Sequence, residues 1–368
     1  MPIYMDRHEI PEEITAEHVA QMHQEDLKVE HLYGCKGMTY WCDEKRRTAF
    51  CLIQAPNKKA IQEMHNHAHG EFPHSIIEVN EKIVESFLGR IEDPAKAHNT
   101  KLNIINDPAF RVIMVIETSN YLNRLEANQF SIFSQKFHNS VIKTLKRFNG
   151  RIVKKDNNSY LVSFISVTDA VLCALKIQFK YKYVTPKFYA TIRRIKIALG
   201  SGIPVTDKNN IFEEATTLAT RMCEIVKDQI VISNEVKELY ESENRNAIID
   251  NELIRALTPG EEKFLTKLMD YTESCWNNSS CDVGIFSKEL GYSRSQLYRK
   301  LMKLTGKSPN NFLKEFRLHK ALYLLFKQEG NISEIAYQSG FNSPAYFSKC
   351  FTDKYGILPS KYTQQHIV

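Results

Sequence analysis

A chain of 368 residues, 25% charged and 43% hydrophobic, has material for two or three folded domains, and no apolar run approaches the roughly 18 residues that cross a bilayer. The opening Met1-Pro-Ile-Tyr-Met-Asp-Arg-His8 lacks a secretory pattern, so a cytoplasmic protein without a membrane partner is expected. The net charge is +6; residues 262–368 hold fifteen Lys/Arg against nine Asp/Glu, leaving 34 of each before them, so the last third is basic, as a polyanion-binding segment requires.

Residues 1–95 read in the order β-α-β-β-α-β. Pro2–His8 alternates as a strand, Thr15 to about Leu32 is a capped helix, and Gly37–Asp43 with Thr48–Ala55 makes a hairpin. Asn57 caps a helix ending at Gly70, and Ser75–Val79 is a last strand. That order predicts a ferredoxin-like sandwich with both helices on one face of the sheet and the other face free for a partner or ligand.

Nine of the twelve histidines fall at or before His98. His65 and His69 stand at i and i+4 on the second helix, a spacing that can hold one cation, whereas His67 points elsewhere. Alternation puts Tyr4, Asp6 and His8 on one face of the first strand, and His23 lies one turn from Asp26 on the first helix. Imidazole with carboxylate suits a borderline ion such as Ni, Zn or Cu. Met5-Asp-Arg-His-Glu-Ile-Pro11, His23-Gln-Glu-Asp26, Tyr40-Trp41, Phe50-Cys-Leu52, His65-Asn-His-Ala-His-Gly70 and Ile76-Ile-Glu-Val79 resemble the small nickel-responsive ferredoxin-like proteins. The resemblance implies a dimer that binds Ni²⁺ through histidines, with His8, His65 and His69 as ligands and His23 and Asp6 as further candidates.

After the polar stretch Glu92–Asp107, residues 108–240 form a second α+β segment and a second ferredoxin-like sandwich. Its predicted elements are a strand at Arg111–Glu117, a helix at Leu125–Phe148, a hairpin of Gly150–Asp156 and Tyr160–Phe164 around Asn157-Asn158, a helix at Val167–Phe179, a strand at Ile192–Gly200, a helix at Glu213–Val226 and a strand at Gln229–Ser233. Gly150-Arg-Ile-Val-Lys154, Tyr160-Leu-Val-Ser-Phe164, Ile197–Gly202 and Glu214-Ala-Thr-Thr-Leu-Ala-Thr-Arg221 resemble class III adenylyl/guanylyl cyclase domains. Two aspartates hold the metal ions in those enzymes; here the first position falls at or near Glu117 and the second is Asn158, which lacks the charge. Thr217 replaces the family's asparagine, and Arg221 is retained. The resemblance implies a dimerising pseudo-cyclase, not an enzyme, that could still hold a nucleotide effector through Arg221, Thr217 and Glu117.

Residues 241–260 read as a linker and hinge, with Leu257-Thr-Pro-Gly260 breaking regular structure before a helix opens at Glu261. Residues 261–368 read as an all-α domain of two helix-turn-helix units. Ser293 caps a helix at Arg294–Thr305 that stops at Gly306, its Leu297, Leu301 and Leu304 on one face and Arg294, Ser295, Gln296 and Arg299 near its exposed start. Asn331-Ile-Ser-Glu334 is a capping box, and Ser343-Pro344 opens a second reading helix that presents Asn342, Ser343, Ala345, Tyr346 and Lys349. A long amphipathic helix, Asn311–Phe326, holds the two apart. Readers about one turn of DNA apart, roughly 34 Å, enter successive major grooves of one duplex.

Ser293-Arg-Ser-Gln-Leu-Tyr-Arg-Lys300, Gly306-Lys-Ser-Pro309, Ile332-Ser-Glu-Ile-Ala336, Gly340-Phe341 and Gly356-Ile-Leu-Pro-Ser-Lys-Tyr362 resemble the DNA-binding domain of the AraC/XylS family of transcription regulators. The resemblance implies double-stranded DNA as partner, a homodimer, and RNA polymerase as a protein partner. The whole then reads as an α+β multidomain regulator whose first half senses a transition metal or another effector. The competing readings are an active cyclase coupled to DNA binding and a nucleotide-sensing regulator with no metal role. The eight cysteines, without a CxxC pair, are expected as reduced, small buried hydrophobes.

Overall fold

The computed structural model describes residues 1–95, 102–119, 127–156, 159–184, 194–245 and 249–365. In the first domain β1 (Ile3–Glu9), α1 (Ala16–Val29), β2 (Lys36–Asp43), β3 (Thr48–Gln54), α2 (Lys58–Ala68) and β4 (Ser75–Val79) follow the expected order. The four strands pair antiparallel as β2-β3-β1-β4, the ferredoxin-like arrangement. Tyr4, Tyr40, Cys51, Ile53 and Ile76 turn toward α1 and α2, where they meet Val19, Ala20, Ile61 and Met64.

The opposite face of that sheet, expected to be free, is covered. A further helix, α3 (Glu81–Leu88), and Val205, Phe212 and Ala215 of the second domain close over Met5, Trp41, Phe50, Leu52 and Ile77. The face is too apolar to stay in water: burial contributes about 25 cal/mol per Å² of apolar surface, and this patch includes a tryptophan and a phenylalanine. Asn80 starts α3 by accepting from the Lys82 and Ile83 amides, and Gly89 ends it with φ of 90°. Residues 102–110 are no open spacer either. The Tyr40 hydroxyl donates to the Asn103 carbonyl at 2.7 Å and accepts from the Ile105 amide at 2.8 Å, which straps the segment along β2.

Arg111 begins the second domain fully buried. Its guanidinium donates to the carbonyls of Phe87, Leu88, Pro108 and Phe110 at 2.6–3.2 Å, closing the C-terminal end of α3. The domain contains β5 (Arg111–Ser119), α4 (Ala127–Arg147), β6 (Arg151–Lys155), β7 (Ser159–Phe164), α5 (Val167–Val184), β8 (Arg194–Gly202), α6 (Glu213–Ile225), β9 (Ile230–Ile232), α7 (Asn234–Glu243) and β10 (Arg255–Ala256). Strand order is β10-β9-β8-β5-β7-β6; β8-β5-β7-β6 repeat the ferredoxin-like order, and β9 and β10 extend it in parallel beyond β8. One sheet face packs under α4 and α5. On the other, Ile113 meets the first domain, while Val115 and Ala198 meet α6 and the helices beyond.

The expected hinge at 241–260 is largely fastened down in its second half. Ile249, Ile254 and Leu257 are buried, and β10 pairs with β9. The polar look of the stretch hid three apolar anchors. The helical domain then runs α8 (Pro259–Cys275), α9 (Val283–Glu289), α10 (Arg294–Thr305), α11 (Pro309–Lys327), α12 (Ile332–Gln338), α13 (Pro344–Tyr355) and α14 (Pro359–Gln365). Helix α8 starts two residues earlier than expected, because Thr258 and Glu261 form a capping box around Pro259 at the first helical position, where its missing N–H costs nothing. The first half of α11 packs Phe312, Leu313 and Phe316 into the first unit, and its second half packs Leu318, Ala321 and Leu325 into the second.

Candidate functional site

Beneath α1 and α2 lies a buried network of imidazoles and carboxylates. His65, 1% exposed, sets Nε2 at 2.9 Å from Asp6 Oδ2 and Nδ1 at 3.0 Å from Asp26 Oδ1. His69 follows the last turn of α2 as its C-cap, and its Nε2 stands 3.2 Å from His65 Nδ1 and 3.3 Å from Asp26 Oδ1. His8 Nε2 is 3.4 Å from Asp6 Oδ1, which also accepts from the Cys51 amide at 2.9 Å. Two sets of donor atoms therefore converge within 4.8 Å of one another: Asp26, His65 and His69, and Asp6, His8 and Cys51.

The electrostatics follow from burying two carboxyls among three imidazoles. Burial pushes Asp6 and Asp26 up, but His8 and His65 around the first, and His65 and His69 around the second, outweigh it and hold both below the usual carboxylate range. Burial pushes His65 down, and its hydrogen bonds to Asp26 and Asp6 reverse this, raising it to about 10. The positive charge at this spot is the His65 imidazolium, set between two buried carboxylates. The donor set, two imidazole nitrogens and a carboxylate oxygen beside a second group of one carboxylate, one imidazole and one thiol, suits a borderline divalent ion.

The first-helix candidate His23 does not join this cluster. Its Nε2 is 3.5 Å from Asp93 Oδ2, and its ring lies 4.9 Å from that of Tyr40. Asp26, read in the sequence as a companion of His23, goes to His65 instead. It continues the buried stripe Ala16, Val19, Ala20 and His23 of α1, which was the available signal that it faces α2. Cys51 was read only as a small hydrophobe. His67 points outward to the Tyr33 hydroxyl at 3.0 Å.

The residues expected to hold a nucleotide are divided. Glu117 lies on β5 opposite Lys196, and burial, with Glu224 nearby, raises its carboxyl to about 7. Thr217 lines a mainly apolar cavity of about 480 Å³ at the seam with the first domain, which neither Glu117 nor Arg221 lines. Arg221 reaches Asp270 at 2.7 Å and Glu273 at 3.0 Å on α8, so its charge binds the helical domain to the second domain. Asn158 lies outside the described residues.

At the reader, Leu297, Leu301 and Leu304 are buried, and Arg294, Ser295 and Arg299 are exposed. Gln296 also opens to solvent, but its Oε1 accepts from the Ser293 amide at 3.0 Å and completes the cap. In the second unit the Ser343 hydroxyl accepts from the Tyr346 amide at 3.3 Å, leaving Asn342, Ala345, Tyr346 and Lys349 as the exposed side chains. Ser343 and Gln296 are thus spent on starting their helices.

Residues 4–79 match the family described as Nickel responsive protein SCO4226-like, and residues 286–365 match the family described as Helix-turn-helix domain. Over 136 residues the chain is 37% identical to Histidine kinase P4 of Formosa agariphila, spanning 37% of this chain and 10% of that one. Over 63 residues it is 44% identical to HTH-type transcriptional activator RhaS of Mannheimia succiniciproducens, 17% of this chain and 24% of that one. The crystal structure of SCO4226 from Streptomyces coelicolor A3(2) is 34% identical, covering 21% of this chain and 94% of that one, with a TM-score of 0.20. The chain spans 10% of the length of the histidine kinase, 24% of that of RhaS and 40% of that of the RhaR activator of Yersinia pseudotuberculosis, to which it is 30% identical. Residues 286–365 are thus similar to helix-turn-helix domains of the AraC type, and residues 4–79 to the nickel responsive SCO4226-like proteins.

Proposed function

We propose that the protein is a transcription regulator, not an enzyme, that binds double-stranded DNA through α10 and α13 and responds to a transition-metal ion in its first domain. The observation that carries the DNA half is the pair of side-chain-capped helices whose first turns are open to solvent, in a domain where fifteen Lys/Arg outnumber nine Asp/Glu. Arg294 and Arg299 are the base-reading or phosphate-gripping groups of the first unit, and Lys349 grips phosphate in the second. Binding of the full chain to duplexes selected from a random-sequence pool tests this. Arg299→Ala should lose about 1–3 kcal/mol and relax selectivity at one position, and Lys349→Ala should weaken all duplexes alike. Unchanged binding in both variants removes the assignment.

Support for the metal half is the convergence of Asp26, His65 and His69 beside the buried carboxylate of Asp6. A divalent ion there, nickel being the candidate, would be held by His65, His69 and Asp26, with Asp6 and His8 as the adjoining set; it would tie α1 to the end of α2. Calorimetric titration with Ni²⁺ should show heat in the wild type and none in His65→Ala/His69→Ala. Equal heats in both would sink the site. Arg221, held by α8, supports no nucleotide role.

A further inference from the structure

The loop between α8 and α9 folds back on itself. The Asn278 amide donates to the Cys275 carbonyl at 2.9 Å and the Cys281 amide to the Asn278 carbonyl at 3.1 Å, and these nested turns bring the two sulfurs to 2.8 Å. Cys275 is half-buried and Cys281 is buried. A disulfide is about 2.05 Å long, so the pair lies within an ångström of bonding in a loop already shaped for it.

The same loop is where the two helix-turn-helix units meet. Arg317, midway along α11, donates Nε to the Trp276 carbonyl at 2.7 Å and Nη2 to the carbonyls of Asn278 at 2.7 Å and Cys281 at 3.4 Å. Gly340, in the turn of the second unit, comes so near that a Cβ there would fall 2.6 Å from the Trp276 carbonyl oxygen. The thiols therefore border the junction that sets the distance between the readers.

We propose that Cys275 and Cys281 are an oxidation site, converted by hydrogen peroxide to a reversible disulfide that fixes the two units against each other and so alters DNA binding. The second clause rests on the DNA-reader assignment above. Cys275, the more accessible thiol, gives up its proton and its sulfur attacks the peroxide; an S–O bond forms, the O–O bond breaks, and the departing oxygen leaves as water. The Cys281 sulfur then displaces the hydroxyl of the sulfenic acid, forming S–S, breaking S–O and releasing a second water with the Cys281 proton. Two thiols lose two electrons, and one peroxide becomes two waters. Burial and the neighbouring Cys281 push the Cys275 thiol up to about 12, so the reaction is slow at neutral pH and quickens as pH rises. Once closed, the bond removes the loop's freedom to rearrange beneath Arg317, and tandem readers gain or lose affinity with their spacing.

The test treats the full chain with hydrogen peroxide, alkylates remaining thiols and maps the peptides. A Cys275–Cys281 cross-link that dithiothreitol removes is expected, with Cys173 and Cys223 still alkylated after unfolding. Affinity for a duplex selected by the reduced protein should change at least threefold on oxidation and return on reduction, and Cys275→Ser/Cys281→Ser should bind like reduced wild type and ignore peroxide. Absence of the cross-link overturns the proposal, as does a cross-link that leaves affinity unchanged. Failure of the reduced protein to select any duplex would instead sink the reader assignment, with the peptide map still deciding the thiols.

Discussion

The two helix-turn-helix units share a plan but not a setting. The first has no core of its own: Phe264, Leu268, Leu297, Leu301 and Leu304 run on without a break into Val115, Ala198, Met222 and Val231 of the second domain. The C-terminal carbonyls of α10 are held from outside, Leu304 by the Lys227 amide at 3.2 Å, and Lys303 and Leu304 by the Arg255 guanidinium at 3.1 and 3.4 Å. The second unit closes a separate core of Ile335, Ala336, Phe347, Phe351 and Tyr362 around the end of α11. The first reader is thus built into the second domain, and the second is a satellite joined through α11 and the Arg317 junction. A change upstream reaches the first reader directly and the second only through their spacing.

The strongest way to break this comparison is a cavity in each unit. Phe351→Ala, at a fully buried site, should cost about 3–5 kcal/mol, and hydrogen exchange should show α12–α14 losing protection while α8–α10 keep theirs. Leu301→Ala should cost about 2–5 kcal/mol and lower protection in the second domain as well. If both variants unfold as one unit, the division is wrong.

A matched pair of glycines sharpens it. Gly340 and Gly356 have φ of 76° and 73°, but only at Gly340 would a Cβ meet the Trp276 carbonyl; at Gly356 nothing lies within 4 Å. Alanine should cost about 1 kcal/mol at Gly356 for the left-handed backbone alone, and roughly twice that or more at Gly340. Equal losses in denaturant midpoint would mean the junction is loose. The smallest effect is expected of Arg221→Ala, about 0.5 kcal/mol, because Asp270 and Glu273 are 61% and 46% exposed and solvent screens them. Only the wild-type background should then lose stability when Asp270→Ala and Glu273→Ala are added, and additive losses would deny the pairing.

What was legible in the sequence was local. Period-two alternation and caps announced both sandwiches, and Ser293, Asn331 and Ser343 each accept the amide their position called for. Partner choice between distant elements was not legible. Asp26 could turn to His23 on its own helix or to His65 across the interface, and only the packed distance of α1 from α2 decides. Arg221 stood on a motif that suggested phosphate, yet its fate depended on α8, some fifty residues on. β10 is two residues long and has no periodicity to detect, so its pairing rests on the buried Ile254 and Leu257 that flank it.

β1 is shared by two neighbours. Asp6 hangs into the imidazole chamber while Met5, the next residue, presses on the outer seam with α3 and the second domain. A twist of that single ribbon has no slack to absorb it, since both sides are close-packed. A displacement of Asp6 therefore has a path one peptide long from the chamber to the wall on which the second domain leans.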